Sequence, residues 1–255
     1  MRAIILAAGV GARLAADGEE APPKCLLRFG GRTLLDRHLE NLRAVSVEEV
    51  TVVVGYRADE VEEELRALSA SSRTELVYNS RYREGSVLSL RAAAKRLTDG
   101  GDVLLMDADI LCDDRLLRPL FRTGWSDLFL LDRELEPGEE PVKLCVRQGA
   151  LVELRKKIDR RLAYDFAGES VGFFRFSEQT ARRLAARSER YLEEGRTGEP
   201  HEEVLRDELI AAPPGTFGWE EVTGIPWIEI DFPADVRRAE REILPALRPT
   251  EETMG

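Results

Sequence analysis

Residues 1–28 read MRAIILAAGVGARLAADGEEAPPKCLLR, and this stretch decides the fold. The run Ala3 to Ala8 is apolar without alternation and stops at Gly9-Val10-Gly11, the pattern of a strand buried on both faces. Glycines let the backbone come close to a ligand and turn its N–H groups inward. Arg13 and Lys24 can add fixed positive charge for a polyphosphate. The ligand expected here is a nucleoside triphosphate, although strand, turn and helix also occur in this order in α/β proteins that bind nothing at that point. The spacing is not a P-loop, because no Gly-Lys-Ser/Thr follows the strand. It is not G-x-G-x-x-G either, because Leu14 stands where the third glycine belongs.

The pattern continues outward from that turn. Phe29-Gly30-Gly31-Arg32 reads as a short strand turning over two glycines. Thr33 reads as the N-cap of a helix from Leu34 to Ala44, with apolar residues at 34, 35, 39 and 42. Glu49 to Val54 is a second core strand, Asp59 to Leu68 a helix with a solvated glutamate face, and Glu75 to Tyr78 a third strand. Strand, helix, strand, helix, strand means parallel βαβ units. Ser86 to Leu97 reads as a helix, Asp102 to Met106 as an apolar strand, Arg115 to Phe121 as a short helix and Asp127 to Asp132 as a strand. Glu134 to Glu140 is an acidic rim loop. Lys143 to Arg147 and Leu151 to Leu154 read as a hairpin about Gln148-Gly149. Asp165 to Phe176 is a strand and Glu178 to Glu194 an amphipathic helix. Gly195 to Pro200 is a linker or lid tip, and His201 to Leu209 a further helix. Strands follow at Trp219 to Val222 and Trp227 to Ile230, then a helix from Val236 to Leu247 capped by Asp235.

Composition narrows the function. The chain has 255 residues, 43% hydrophobic, enough for a substantial α/β core, with no internal repeat or domain linker. No apolar run approaches membrane-spanning length and no signal-peptide layout is present, so a cytoplasmic protein without membrane contact is expected. A net charge of −11 argues against a broad nucleic-acid surface. It also requires that positive charge for a triphosphate be concentrated locally, with help from a metal. Cys25, Cys112 and Cys145 are too few and too scattered for a disulfide framework or a zinc site. They read as small buried hydrophobes, Cys25 with a somewhat accessible thiol. His38 and His201 read as structural or exposed.

Several polar clusters stand out. Asn79, Tyr82, Gly85, Ser86 and Ser89 gather just beyond a strand end, where α/β sheets place ligands; an ordinary loop with an N-cap is the alternative. The strand ending in Asp107-Ala108-Asp109 carries two carboxylates, and burying them is costly unless a cation compensates. Asp113 and Asp114 lie further on and suit helix capping better. Period two puts Glu229 and Asp231 on one face.

Leu6 to Leu14, LAAGVGARL, followed by Pro23 to Leu27, PKCLL, resembles the two-part signature of the nucleotidyltransferase superfamily. That superfamily contains sugar-nucleotide pyrophosphorylases and the cytidylyltransferases for phosphocholine, inositol phosphate and phosphonates. The resemblance extends through Asp109 to the region of Asp231 and is nearest to the phosphocholine- and phosphonate-type cytidylyltransferases. It implies an α/β chain forming a single-domain, Rossmann-like, three-layer αβα sandwich with a mainly parallel mixed sheet. Residues 1–247 would form the domain, about 1–135 its nucleotide half and 136–235 its acceptor half, with 248–255 a disordered tail. It implies that Leu6, Ala7, Ala8, Gly9, Gly11, Asn79, Gly85, Ser86 and Ser89 bind the nucleotide, with Asp107 a ribose or outer contact. Asp109 and Asp231 would hold Mg²⁺. Arg13 and Lys24 would grip the leaving pyrophosphate. Lys143 would meet the acceptor's phosphate, with Lys156 and Lys157 as lesser candidates. Glu169 lies in a Gly-Glu segment similar to the family's acceptor site. Tyr164, Tyr191, Glu202, Asp207 and Trp219 add acids and aromatics able to enclose a cationic head group.

The expected reaction joins CTP, or another NTP, to a small phosphate or phosphonate acceptor with release of pyrophosphate. A sugar-1-phosphate or inositol-phosphate acceptor stays open, and so does a homodimer. Two rivals differ in class. A non-catalytic nucleotide-binding regulator would be favoured by loss of Arg13, Lys24 or Asp109, yet all are present. A glycosyltransferase is suggested by the D-x-D at Asp107–Asp109 but has no need of the N-terminal triphosphate cradle.

Overall fold

The computed structural model describes residues 1–14, 21–69, 74–135 and 140–248. The first half runs β1 (Arg2–Leu6), β2 (Arg28–Phe29), β3 (Arg32–Thr33), α1 (Leu34–Ala44), β4 (Val50–Val54), α2 (Ala58–Ala67), β5 (Thr74–Tyr78), α3 (Val87–Ala92), α4 (Ala94–Thr98), β6 (Val103–Asp107), β7 (Ile110–Cys112), α5 (Pro119–Arg122) and β8 (Leu128–Asp132). The second half runs β9 (Lys143–Arg147), β10 (Ala150–Arg155), β11 (Phe166–Phe176), α6 (Glu178–Glu193), α7 (His201–Ala211), β12 (Gly218–Glu221), β13 (Trp227–Glu229) and α8 (Pro233–Arg238).

One nine-stranded sheet joins both halves in the order β10-β9-β11-β6-β1-β4-β5, with β8 between β11 and β12. β6, β1, β4 and β5 are parallel, and β11 joins antiparallel to β6, so the sheet is mixed. Because β1 is buried on both faces, its residues alternate between two cores. Ala3 and Ile5 pack with α1 and α2, whereas Ile4 packs with α3, α6 and α7. Helices on both faces of a sheet give the three layers that the sequence leads one to expect.

Local chemistry explains the longer helices. The Thr33 hydroxyl accepts the Asp36 N–H at 3.1 Å and starts α1. Ser177 does the same for α6 through Thr180. α6 buries Ala181, Leu184, Ala185, Ser188 and Tyr191, the spacing of one helical face.

Several expectations need correction. The helix expected from Ser86 to Leu97 is broken at Ala93 into α3 and α4, and both pieces pack on α6. No glycine or proline marks the break; tertiary packing sets it. The helix expected from Val236 begins earlier, because Pro233 has a fixed φ and no N–H to lose at a first helical position. Asp235 lies inside its first turn and accepts the N–H groups of Asp231 and Phe232, at 3.0 and 2.7 Å. Beyond Arg238 the chain becomes a π turn (Ala239–Ile243) and a 3-10 turn (Leu244–Ala246) containing Pro245. The Gly195–Pro200 linker is pinned rather than lid-like: Gly85 and Val87 donate their N–H groups to the Thr197 and Glu199 carbonyls. Most of the acidic rim loop, 136–139, and the tail from 249 lie outside the described residues.

Candidate active site

The site grows from strand ends. β1 delivers the Gly9–Arg13 turn, and Asp107, at the end of β6, is in register with Leu6. β13 pairs antiparallel with β7, Glu229 opposite Ile110, and the Ile230 N–H donates to the Asp109 carbonyl at 2.9 Å. That pairing brings Asp109, Glu229 and Asp231 together, one carboxylate oxygen of each within 4.8 Å of the others.

Lys24 lies across the centre of this group. Its ammonium donates to Asp109 Oδ2 at 2.7 Å and to Asp231 Oδ1 at 2.6 Å. Burial opposes the lysine's charge, but the two carboxylates outweigh it and hold the pKa well above the ordinary lysine value. Gly11 adopts φ +63°, and a Cβ there would come within 3.2 Å of Lys24 Cγ. The glycine thus allows the turn and the close passage of Lys24. Arg13 donates to Asp231 Oδ1 at 2.9 Å and to Glu140 Oε2 at 2.7 Å, and its guanidinium lies 5.0 Å from the Phe232 ring centre. Lys156 donates to the same Glu140 oxygen at 3.1 Å.

Two cavities meet at the carboxylates. The first, about 580 Å³, is lined by Leu6, Ala7, Ala8, Gly9, Gly11, Arg13, Lys24, Ser86, Ser89, Asp107, Asp109 and Asp231, as the sequence reading expects. The second, about 470 Å³, shares Glu229 and Asp231 with it and adds Asp132, Glu169, Trp227 and Phe232. Asp132 and Glu169 are buried, and the Trp227 indole donates to Asp132 at 2.7 Å. Glu229 has its side chain on the open cleft yet is crowded. Burial and the neighbouring Asp109, Asp231 and Asp107 carboxylates raise its pKa well above the usual range. Asp107 is raised in the same direction by burial, Glu202 and Asp109.

Other expected residues go elsewhere. Asn79 is buried behind the first cavity; its amide donates to Ser89 Oγ and its carbonyl oxygen accepts the Arg81 N–H. Gly85 serves a crossing of chains, since a Cβ there would stand 2.2 Å from the Glu199 carbonyl oxygen. Lys143 lines neither cavity; its ammonium donates to the Pro141 and Lys156 carbonyls. Tyr164 is exposed, and the Trp219 indole donates to the Gly149 carbonyl while its ring packs on Phe166. Tyr191 and Asp207 bond to each other. Glu202 is in the first cavity, not the second. Cys25 is buried, and burial pushes its thiol up to about 12, so it is not the accessible thiol expected.

The sequence reading passed over three residues. Glu229 shares the Asp231 face by period two, so its signal was present. Trp227 joins the second cavity only through the β13–β7 pairing. His201 is buried in the first cavity beside Ser86, 115 residues away in the chain.

Asp109, Glu229 and Asp231 suit a divalent cation. They present hard carboxylate oxygens, and two of them already hold a cation, the Lys24 ammonium. Among the described residues no helix is long and apolar enough to cross a membrane.

The chain is similar to known proteins over most of its length. The bifunctional IPC transferase and DIPP synthase of Rubrobacter xylanophilus is 31% identical over 246 residues, covering 95% of this chain and 52% of the relative. The chain thus spans about half that relative's length. The CTP:phosphoglutamine cytidylyltransferase of Campylobacter jejuni is 28% identical over 195 residues, 70% of this chain and 74% of the relative. The structure of the inositol-1-phosphate CTP transferase from T. maritima superposes with a TM-score of 0.75 at 22% identity, covering 100% of this chain and 97% of that one, and shows the same fold. Residues 3–163 match the MobA-like NTP transferase domain, and with more than half of its length accounted for in this way, the chain belongs to that family.

Proposed function

We propose that the protein is a Mg²⁺-dependent cytidylyltransferase that couples CTP to a small phosphate or phosphonate acceptor and releases pyrophosphate. One observation carries the proposal: the three carboxylates stand at the junction of two cavities, one built on the glycine turn and the other on acids and aromatics. Two substrates entering from the two cavities meet at that junction. The choice of CTP is supported by the Campylobacter relative, whose name specifies it.

In this reaction an oxygen of the acceptor's phosphate or phosphonate attacks the α-phosphorus. The new O–P bond forms as the bond to the β-phosphate oxygen breaks, and the electron pair leaves with pyrophosphate. The nucleophile is already anionic, so no general base is required. The protein's task is to align two anions that repel each other and to offset the charge that develops. Arg13, Lys24 and the N–H groups of the Gly9–Arg13 turn hold the β- and γ-phosphates. Asp109, Glu229 and Asp231 would hold Mg²⁺, which when bound neutralises phosphate charge. The second cavity receives the acceptor. Asp132 and Glu169 at its wall, beside Trp227, favour an acceptor that carries an ammonium group over a neutral polyol.

The experiment is an assay of pyrophosphate release with Mg²⁺. It pairs each of CTP, UTP, ATP and GTP with phosphocholine, 2-aminoethylphosphonate, phosphoglutamine, inositol 1-phosphate and glucose 1-phosphate. Release is expected with CTP and the amine-bearing acceptors. Release only with a sugar phosphate, or with none of the pairs, overturns the proposal.

A further inference from the structure

His201 opens α7, and its ring is 4% exposed. Its backbone N–H donates to Ser86 Oγ at 2.8 Å, and the same oxygen lies 3.2 Å from ring Nδ1. Glu202 Oε2 is 3.1 Å from Nδ1 as well. The ring packs edge-on against Phe174. One side of the imidazole is therefore fixed by the protein. The other side is not: Nε2 is buried on the wall of the first cavity without a hydrogen-bond partner, and the carboxylate oxygen facing it, Asp107 Oδ1, is 3.5 Å away.

A buried nitrogen left without a partner costs free energy unless a ligand or water completes it. A carboxylate accepts hydrogen bonds only, whereas imidazole Nε2 can donate or accept. A hydroxyl group satisfies both at once when the ring proton is on Nε2, donating its one hydrogen to Asp107 and accepting from Nε2–H, with Nδ1 left to accept from the Ser86 hydroxyl. The pair's place in the fold selects whose hydroxyl it is. Asp107 is in register with Leu6, just before the glycine turn, and Asp109 of the carboxylate cluster is two residues further on. On the other side His201 is tied to Ser86, the start of the Ser86–Ser89 wall. The pair stands between the cluster that faces the phosphates and that wall. In a nucleotide the part between phosphates and base is the ribose.

We infer that His201 and Asp107 form a hydroxyl-reading pair that binds the ribose of the nucleotide and discriminates ribonucleotides from deoxyribonucleotides. This rests on the proposed use of a nucleoside triphosphate. It assigns a role to a residue drawn into the site from the acceptor half of the chain.

The test measures equilibrium binding of CTP, 2′-deoxy-CTP and 3′-deoxy-CTP at fixed Mg²⁺, with no acceptor present. The wild-type protein is expected to bind CTP more tightly than at least one deoxy analogue, by on the order of ten-fold. His201→Phe keeps the ring against Phe174 and removes both nitrogens; it is expected to bind the three nucleotides with equal affinity. Wild-type protein that does not distinguish the three overturns the inference without any variant, so a failure of His201→Phe to fold does not protect it. A preference that survives in His201→Phe also overturns it. So does an unchanged preference accompanied by a rise in acceptor KM, which would give the pair to the acceptor. Binding is read without turnover: CTP bound with ribose selectivity but no pyrophosphate from any acceptor would defeat the enzymatic proposal and leave this one standing.

Discussion

Lys24 concentrates the electrostatics of the site in one side chain. It is mostly buried, and its ammonium is held by two carboxylates at 2.6 and 2.7 Å. Removing one partner of such a group leaves uncompensated charge, which costs far more than the pair contributes. The ammonium and a divalent cation compete for the same oxygens. Lys24→Met should therefore gain more thermal stability from added Mg²⁺ than the wild type does. The same variant should lose turnover by about 10²–10³-fold, as loss of a fixed charge at a phosphate does. Equal Mg²⁺ shifts in the two proteins would refute the competition. His38 gives a separate test. It is buried against Phe173, and burial pushes its pKa down to about 4, with Ala108 and Asp109 offsetting only part of that. Between pH 6.5 and 4 the unfolded chain takes up the proton and the folded one resists, so stability falls as pH falls through that window. The loss is about 3 kcal/mol at its lower end. His38→Phe should flatten the urea midpoint against pH over this range relative to wild type; an unchanged slope would contradict the assignment. At this scale the resemblance to the nucleotidyltransferase signature pointed to Asp109 and Asp231, which the structure brings together, while period two by itself put only Glu229 and Asp231 on one face. His201 was not legible, because its partner Ser86 is supplied by a distant segment.

Elements place these residues, and their legibility varies with the kind of signal they carry. α1 and α6 have a capping hydroxyl and a full apolar face, so sequence spacing predicts them. The break between α3 and α4 and the π turn after α8 have no local marker and follow from packing. The β13–β7 register, which assembles the carboxylate cluster, is a long-range pairing that no local pattern specifies. The crossing of the Thr197–Pro200 linker over Gly85 is another such contact, and it positions His201. Gly85→Ala would push a Cβ into the Glu199 carbonyl. It should destabilise the fold by about 1–3 kcal/mol and weaken CTP binding, both visible in a thermal melt run with and without nucleotide. A melt identical to wild type in both conditions would show that the crossing yields without cost.

At the scale of the molecule, two cores on opposite faces of one sheet hold strand ends from both halves of the chain at a single edge. The chain carries a net charge of −11, yet the glycine turn faces a local set of cations, Arg13, Lys24 and Lys156. The α/β class could be read from residues 1–28, and the glycine turn singled out there lines the first cavity. The second cavity could not be read there, because its walls come from β8, β11, β13 and α8 and exist only once the sheet is built. Lys143, Tyr164 and Trp219 looked suitable by residue type but are directed elsewhere by that same assembly. The central claim is that two substrates meet at Asp109, Glu229 and Asp231. Its most direct test is the mass of the product formed from CTP and 2-aminoethylphosphonate with Mg²⁺, followed together with pyrophosphate. The account predicts a CMP–phosphonate anhydride in equal amount to pyrophosphate, abolished by Asp231→Asn in a protein that still melts cooperatively. Pyrophosphate without a CMP-linked product, or full product formation by Asp231→Asn, would contradict it.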